Sequence, residues 1–440
     1  MNLNQSKLEE LKRKILATLF LVVVYRFGAQ VPVPGVDASA LKSFFDQAGV
    51  GLFDMLNTFS GGSLKRLSVL ALGIMPYITT SIIFSLLGEV VPQLAELQDD
   101  SEGHRRIQKW TRYATVLLCM VQGYGLTAFF ESQMSPGGQP VVPEPGISFR
   151  IVTMLTLTTG TMFLLFLGER ITEYALENGV SLIIFAGIAA EVPSEFIQKI
   201  ELYRNNELSG FHILLSLLII FGGFYLVAFV EKSFRNVHVQ YAKKIINNKV
   251  YSGQQTLPMK VDTGGVMPVI LASSLLGAPA TLSSMISREN PLHPYIDPIV
   301  HSLYPGRLLH NILLIVLIFY MTYFYAPIQF KTKKIAEMLK KNNAFIPGVR
   351  PGEKTQAFLD FILDRLSFFG ALFLITICIV PTLFADGTRS RLGGTSLLIL
   401  VSVCIRVMMN VQAFIFSEKY QDSYKNATKP GKFSGPRRRF

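Results

Sequence analysis

Ten long apolar runs constrain the fold of this chain more than any other feature of its sequence. Half of its 440 residues are hydrophobic and 16% are charged, compared with roughly 25% charged residues in soluble domains. A helix needs about 20 apolar residues to cross a bilayer, and each run is close to that length. The sequence therefore predicts an all-α polytopic membrane protein with spans at residues 15–33, 67–90, 113–130, 149–168, 180–196, 211–230, 266–286, 308–330, 366–385 and 395–416.

Basic residues are distributed unevenly over the loops. Most of the 42 Lys and Arg residues fall at the N-terminus, in the second loop, in the loops 231–262 and 331–356, and in the tail 417–440. Because excess Lys and Arg mark the cytoplasmic side, we expect both termini and these loops in the cytoplasm. The basic segment 12–14 leads directly into a full-length apolar run, so we expect the first span to be retained as a signal anchor.

Ten spans with both termini on one side predict two halves of opposite orientation. Five is an odd number, so a five-plus-five division makes the halves inverted copies, an arrangement that places a pathway at their interface. We therefore divide the chain into an N-terminal half at 1–206, a C-terminal half at 207–416 and a basic cytoplasmic tail at 417–440. The residues themselves show no obvious repeat.

Residues 53–87 enter the membrane without the sequence of a plain helix. The segment SGG at 60–62 and a basic pair at 65–66 precede an apolar run that is itself interrupted by GIMP at 73–76. Irregular or polar backbone survives at membrane depth only inside protein or beside a water-filled cavity. This segment therefore predicts a cavity or pore.

The spans lack the groups that ion-coupled transport or catalysis needs. No Asp or Glu lies in the middle of a span, whereas ion-coupled transporters place ionisable groups near mid-membrane. No protease motif or phosphate loop is present, and Cys119, Cys378 and Cys404 stand singly in apolar runs, so we predict no enzyme, no cofactor and no metal. We expect the deepest charges, Arg26 and Arg406, to snorkel to the two interfaces. A secondary transporter of small solutes and a scaffold or insertase without a pore remain as alternatives.

Short motifs along nearly the whole chain resemble those of the SecY family, the pore subunits of the bacterial protein-conducting channel. They include LNTFSGG at 56–62, ALGIMPYI at 71–78, GTM at 160–162, GERITE at 168–173, IFAGI at 184–188, LPMKV at 257–261, GVMP at 265–268, FIPGVRPG at 345–352 and GGTSLLI at 393–399. The resemblance implies two inverted five-helix halves around a central hourglass pore, with a lateral opening to lipid and a short plug helix at about 53–64.

The resemblance also implies three sets of residues in and around the pore. The aliphatic ring that closes the pore corresponds to Ile74, Ile78, Ile82, Val180, Ile184, Ile270 and Ile399. The plug corresponds to Leu56, Asn57, Phe59, Ser60, Gly61 and Gly62. The lateral gate corresponds to Thr79, Thr80, Gln122, Ser273 and Ser274, whose side chains we expect to hydrogen-bond between helices. Without the resemblance, plain helix packing is the more frequent explanation for each ring residue and an equally good one for each gate residue.

The resemblance to the SecY family also implies the partners of this chain. SecE and SecG are expected as further subunits, and SecA or the ribosome is expected to supply the driving energy, with signal sequences and lipids as further contacts in a bacterial inner membrane. Candidate contacts with SecA or with ribosomal RNA phosphates are Arg235, Lys243, Lys244, Lys340, Lys341 and Arg350. For the lysines a topology signal alone is an alternative explanation. Two departures from the family's pattern are Arg406, where relatives commonly have an acid, and the small residues Gly277-Ala278 before Pro279.

Overall fold

The computed structural model describes most of the chain. The described residues are 5–48, 57, 59–134, 138–174, 178–206, 209–241, 244–246, 249–251, 254–284, 302–303, 307–383 and 393–427. Leu56 of the predicted plug, Lys243 of the predicted contact surface and the last residues of the tail therefore lie outside the described residues.

Helices dominate the described part of the chain. They are α1 (Gln5–Gly28), α2 (Ala38–Ala48), α3 (Met75–Val90), α4 (Pro92–Asp99), α5 (Ser101–Glu131), α6 (Ile147–Tyr174), α7 (Gly179–Arg204), α8 (Gly210–Glu231), α9 (Met267–Ser284), α10 (Leu308–Gln329), α11 (Thr332–Lys341), α12 (Glu353–Leu383) and α13 (Gly394–Ala427).

Each of the ten predicted spans corresponds to one of these helices, which confirms the predicted fold class. Among the described residues, 7 helices are long and apolar enough to cross a membrane, namely α5, α6, α7, α8, α10, α12 and α13. The second and seventh spans are the shorter apolar helices within α3 and α9. The first span is α1, whose first turns carry the basic residues at 12–14 and whose apolar part is correspondingly short.

The second span begins later than the sequence predicted. We expected a helix from Leu67, but α3 begins at Met75, and buried turns precede it. Gly73 has φ +61°, a conformation that a regular helix excludes, and Pro76 lies in the first helical turn, where its missing N–H removes no helical hydrogen bond. Glycine and proline therefore convert the first third of the predicted span into irregular backbone.

The two halves of the molecule pack in the same pattern. In the first half, the first span packs on the fourth and fifth, the second on the third, the third on the fourth, and the fourth on the fifth. In the second half, the sixth span packs on the ninth and tenth, the seventh on the eighth, the eighth on the ninth, and the ninth on the tenth. Each contact thus recurs five spans later, which supports a five-plus-five repeat that the residues do not display.

The two halves meet along two seams. At one seam α5 packs on α9, and at the other α7 packs on α13. The first seam joins the third and seventh spans, where the resemblance places the lateral gate.

The two basic loops form a small sheet, which the prediction of an all-α chain did not include. Its strands are β1 (Phe234–Tyr241), β4 (Gln254–Lys260) and β5 (Ala344–Phe345), in the antiparallel order β4-β1-β5, and β2 (Lys244–Ile246) pairs separately with β3 (Lys249–Tyr251). Val237, Met259 and Ile346 pack beneath the sheet with Leu359 of α12. This shared core joins the two loops into one unit at the ends of α10 and α12.

Close packing at Gly160 gives a stability prediction. A Cβ added to Gly160 of α6 would collide with the carbonyl oxygen of Val69, in the buried turns before α3. We expect Gly160→Ala to destabilise the protein by about 1–3 kcal/mol, the usual range for overpacking. Gly222→Ala on α8 is the control, because nothing lies within 4 Å of its added Cβ and alanine favours the helix. In thermal unfolding in detergent, a Gly160→Ala melting temperature equal to that of Gly222→Ala would contradict the packing argument.

Candidate functional site

An aliphatic cluster lies where the two halves meet. Six of the seven predicted ring residues are at most 5% exposed, and the seventh, Val180, is partly buried against the same cluster. The six are Ile74, Ile78, Ile82, Ile184, Ile270 and Ile399. The structure thus brings residues from α3, α7, α9 and α13 together, although the cluster also contains residues that pack the helices, so membership of a pore ring stays a prediction.

Only two of the three isoleucines predicted for the second span lie within its helix. Ile78 and Ile82 lie one turn apart on α3, but Ile74 precedes the helix as its N-terminal capping residue. The backbone N–H of Ile78 donates to the carbonyl oxygen of Ile74 at 3.1 Å. Ile74 therefore reaches the cluster from the end of the irregular turns.

Branched aliphatic side chains suit a closed constriction. They offer no hydrogen bonds to water or ions, so a narrow ring of them dewets and resists ion flow. They also offer no specific bond to a passing peptide. An opening of this cluster would therefore separate apolar contacts without leaving a polar group unpaired.

The described part of the predicted plug is fastened by hydrogen bonds that converge on Asn57. Its side-chain Nδ2 donates to Glu191 Oε1 at 2.8 Å, and its Oδ1 accepts from the backbone N–H of Lys65 at 2.9 Å. Its carbonyl oxygen accepts from Gly62 N–H and from Ser60 Oγ, both at 3.0 Å. Asn57 is 3% exposed, so breaking these bonds leaves buried polar groups unpaired.

The end of α1 holds the plug from a second direction. Arg26 Nη1 donates to the carbonyl oxygen of Gly61 at 2.9 Å, and the Tyr25 hydroxyl donates to the carbonyl oxygen of Ser60 at 3.4 Å. Phe59 adds an apolar contact, since it belongs to the same cluster as the ring residues. The plug backbone is thus bonded to α1, and its Asn57 side chain is bonded to α7.

Glycine is required where the plug meets α7. Gly61 has φ +65°, and a Cβ on it would lie 2.5 Å from the Cα of Gly187 and 2.8 Å from the Tyr25 hydroxyl oxygen. The first glycine of the SGG motif is therefore required by its backbone conformation and by its close contact with α7. It lets the plug backbone touch the helix that carries Ile184.

A cavity of about 230 Å³ lies beside the plug. Its lining carries charges of both signs, namely the basic residues Arg26, Lys65 and Arg66 and the acidic residues Glu191 and Glu195. A polar cavity of this size accommodates several water molecules. A polar cavity therefore lies next to the plug, and the irregular backbone of residues 53–87 led us to expect a cavity or pore.

Four of the residues that hold the plug were missed by the sequence analysis. Tyr25, Gly187 and Glu191 were assigned no role, and Arg26 was expected only to snorkel to the interface. The guanidinium of Arg26 instead binds the plug backbone. Its depth in an apolar run was the available signal, because an intramembrane charge marks a functional contact by default.

The predicted gate residues do not bond across the seam. Thr80 is buried, and its Oγ1 lies 2.7 Å from Thr115 Oγ1 of α5, within the first half. Ser273 Oγ donates to the Val269 carbonyl oxygen, and Ser274 Oγ donates to that of Ile270 at 2.7 Å, both within α9. Thr80 therefore bonds between helices as expected, although within one half, whereas the hydroxyls of Ser273 and Ser274 bond within their own helix, contrary to our expectation. Thr79 and Gln122 are half-buried, and the gate assignment stays a prediction.

The predicted contact residues lie on the unit formed by the two basic loops. Arg235 of β1, Lys340 and Lys341 at the end of α11, and Arg350 are exposed, whereas Lys244 lies in β2. The turn that carries Arg350 is well defined, since Gly348 and Gly352 have φ +84° and +102° and Thr355 Oγ1 donates to the Arg350 carbonyl oxygen at 2.9 Å. The turn therefore fixes the backbone from which the exposed Arg350 side chain extends into solvent.

One carboxyl group beside the unit formed by the two basic loops has a strongly raised pKa. Asp262 follows β4 and is 4% exposed. Burial and the neighbouring Glu231 raise its pKa to about 7, although a hydrogen bond from the Gly265 N–H and the cations Lys260 and Arg406 oppose the change. The carboxyl group therefore titrates near neutral pH.

Comparisons with known proteins agree with this fold. One solved structure, described as a protein-conducting channel, superposes with a TM-score of 0.65 over 92% of this chain and 93% of its own at 16% identity. A canine channel solved in a ribosome-channel complex from the endoplasmic reticulum gives a TM-score of 0.60 over 92% and 93% at 14% identity. The fold is thus that of the protein-conducting channels.

Sequence comparison gives the family. The SecY family profile matches residues 68–408. The protein translocase subunit SecY of Escherichia coli is 40% identical over 428 residues, which cover 96% of each chain. The chain belongs to the SecY family.

Proposed function

We propose that this chain forms the protein-conducting channel of a bacterial Sec translocase, which passes unfolded secretory proteins across the inner membrane and releases apolar segments sideways into lipid. The observation that carries the proposal is the aliphatic cluster where the halves meet, with the plug hydrogen-bonded beside it. Such a constriction closes the membrane to ions and offers no selective ligand. These are the properties that passage of many different peptide sequences requires.

Two separate elements close the pathway in the resting channel, the aliphatic ring and the plug. The aliphatic ring excludes water, and the plug, held by Asn57 and by Arg26, blocks the space next to it. An arriving signal helix would insert at the seam between α5 and α9, and the ring residues from α3, α7, α9 and α13 would move apart. The translocating chain then displaces the plug, whose bonds to Glu191 and α1 reform when the chain has passed.

The energy and the further subunits come from partners. We propose that SecA and the ribosome dock on the unit of the two basic loops, where Arg235, Lys340, Lys341 and Arg350 are exposed, and that the protein itself is not an enzyme. Contacts of Lys and Arg with RNA phosphates weaken as salt rises. SecE and SecG would complete the complex, with both termini of this chain in the cytoplasm.

A reconstitution experiment tests the proposal. Proteoliposomes containing this chain with SecE and SecG should protect a preprotein from external protease when SecA and ATP are added, and vesicles without this chain should not. Uptake of a small solute driven by an ion gradient, without SecA, would instead favour a secondary transporter. Vesicles that insert membrane proteins but never protect a soluble preprotein would favour an insertase without a pore.

A further inference from the structure

The neighbouring helices α5 and α6 carry the same two charges at the same spacing. Each has an arginine at one end of its span and a glutamate nineteen residues later, namely Arg112 and Glu131 on α5 and Arg150 and Glu169 on α6. A helix rises 1.5 Å per residue, so the two charges of one helix are about 28 Å apart, close to the thickness of the hydrocarbon core of a bilayer. The four charges therefore lie at the two ends of the membrane spans.

The antiparallel packing of α5 and α6 brings each arginine to the glutamate of the other helix. At one end, Arg112 Nη2 lies 2.5 Å from Glu169 Oε1. At the other end, Arg150 Nη2 lies 2.6 Å from Glu131 Oε2, to which Arg150 Nε also donates at 2.8 Å. Glu131 Oε1 also accepts from the N–H of Gly146, directly before α6, at 3.2 Å. Ion pairs therefore join α5 to α6 at both ends of the span.

The pair formed by Glu131 and Arg150, here called the outer pair, is placed against the helix dipoles. The N-terminus of a helix favours negative side chains and its C-terminus favours positive ones. Arg150 lies in the first turn of α6, and Glu131 is the last residue of α5. The Glu131 side chain is 8% exposed, and a buried charge without a partner is strongly unfavourable. The contact between the two helices therefore accounts for both residues, because neither supports its own helix.

The third span is also bonded to the second, whereas the predicted gate hydroxyls of the seventh bond within their own helix. Thr80 Oγ1 of α3 lies 2.7 Å from Thr115 Oγ1 of α5. Ser273 and Ser274 of α9 donate to carbonyl groups of α9 itself. The bonds described here thus join α5 to α3 and to α6, and the gate hydroxyls add none between α5 and α9.

We propose that the two ion pairs form a clamp that keeps α5 on α6 while the lateral gate opens, so that α3, α5 and α6 separate from α9 as one body. The four charged residues are positioning residues, because none belongs to the ring. The outer pair contributes more, since the side chains of Arg112 and Glu169 are 44% and 43% exposed and exposed ion pairs contribute little. The consequence for gating rests on the proposed function, whereas the attachment of α5 to α6 does not.

A disulfide between α5 and α6 tests whether the two helices stay together. A Cβ on Gly123, between the two ion pairs, would lie 3.5 Å from the Cα of Met154 on α6, so the two Cα atoms are within about 5 Å, a separation that a disulfide spans. Gly123→Cys with Met154→Cys, in a protein whose Cys119, Cys378 and Cys404 are changed to alanine, should protect a preprotein equally well when oxidised and when reduced. A severalfold loss of protection on oxidation, reversed by reductant, would refute the proposal and retain the channel function.

Removal of the outer pair provides a second test. Glu131→Gln with Arg150→Met deletes the ion pair without leaving a buried charge, and glutamine keeps an acceptor for the Gly146 N–H. We expect spontaneous openings in lipid bilayers to become about tenfold more frequent, and the oxidised disulfide should return them to the frequency of the unchanged protein. Glu173→Gln with Arg170→Met is the matched control, because it deletes a 2.7 Å ion pair within α6 and should leave the openings unchanged.

Two results of the second test would overturn the clamp. Equal opening frequencies in the outer-pair variant and in the control would show that the outer pair does not hold the gate closed. A raised frequency that persists with the disulfide oxidised would show that the openings do not arise from separation of α5 and α6. Preprotein protection by the unchanged protein is measured separately, so failure of the clamp and failure of the proposed function are distinguished.

Discussion

Replacing Ile399 with Asn should let ions leak through the resting channel and let secretory chains with defective signal sequences pass. Ile399 is 2% exposed in the apolar cluster, so the amide of an asparagine would be buried without partners in the closed state. That penalty is about 1–3 kcal/mol, which corresponds to roughly a fivefold to hundredfold shift toward the hydrated, open state. Single-channel conductance in lipid bilayers and export of a defective-signal substrate measure the two effects.

The conservative change Ile399→Leu is the control for this experiment. It preserves an apolar side chain of the same volume, and volume-conserving apolar substitutions are usually tolerated. We expect its conductance and its signal-sequence requirement to match those of the unchanged protein. If Ile399→Asn also left both unchanged, Ile399 would be a packing residue outside the ring.

Asn57→Ala should release the plug. The substitution removes the side-chain bonds to Glu191 and to the Lys65 N–H, and the first of these joins the plug to a carboxyl group. A buried group left without its hydrogen-bond partner costs about 1–3 kcal/mol, so the plug should leave its closed position roughly tenfold more often. Brief openings recorded without SecA or substrate should become correspondingly more frequent.

Asn178→Ala provides the matched loss of an asparagine hydrogen bond away from the plug. Asn178 caps α7, and its Oδ1 accepts from the Val180 N–H at 3.0 Å. This variant should lose helix-capping stability of about 1 kcal/mol without more frequent openings. If the two variants opened equally often, the bond from Asn57 to Glu191 would have no role in holding the plug.

Much of the architecture was predictable from local sequence. The apolar runs gave the ten spans, and Gly73 with Pro76 signalled the break in the second span, because both residues act through their own backbone conformation. The start of α3 was misplaced by eight residues, since Leu67 and its neighbours are apolar and buried without being helical. Hydropathy reports burial and does not distinguish a helix from buried turns.

The contacts that hold the plug were not predictable in the same way. Asn57 and Glu191 are 134 residues apart in the chain, and neither has a neighbour in sequence that identifies the other. The hydroxyls of Ser273 and Ser274 illustrate the opposite case, because their expected partners across the seam are replaced by carbonyl groups of their own helix. Serine in a membrane helix has both options, and the choice depends on the tertiary arrangement.

The most direct test of the account is to trap a secretory chain in transit and ask which residues it touches. Single cysteines would replace Ile78, Ile184 or Ile399 in a protein whose natural Cys119, Cys378 and Cys404 are changed to serine or alanine, with a cysteine at Phe221 as the outward-facing control, since Phe221 of α8 is 65% exposed. A stalled preprotein carrying one cysteine should form disulfides with the three ring positions and not with position 221. Equal crosslinking at position 221, or none at the three ring positions, would contradict passage through the aliphatic ring.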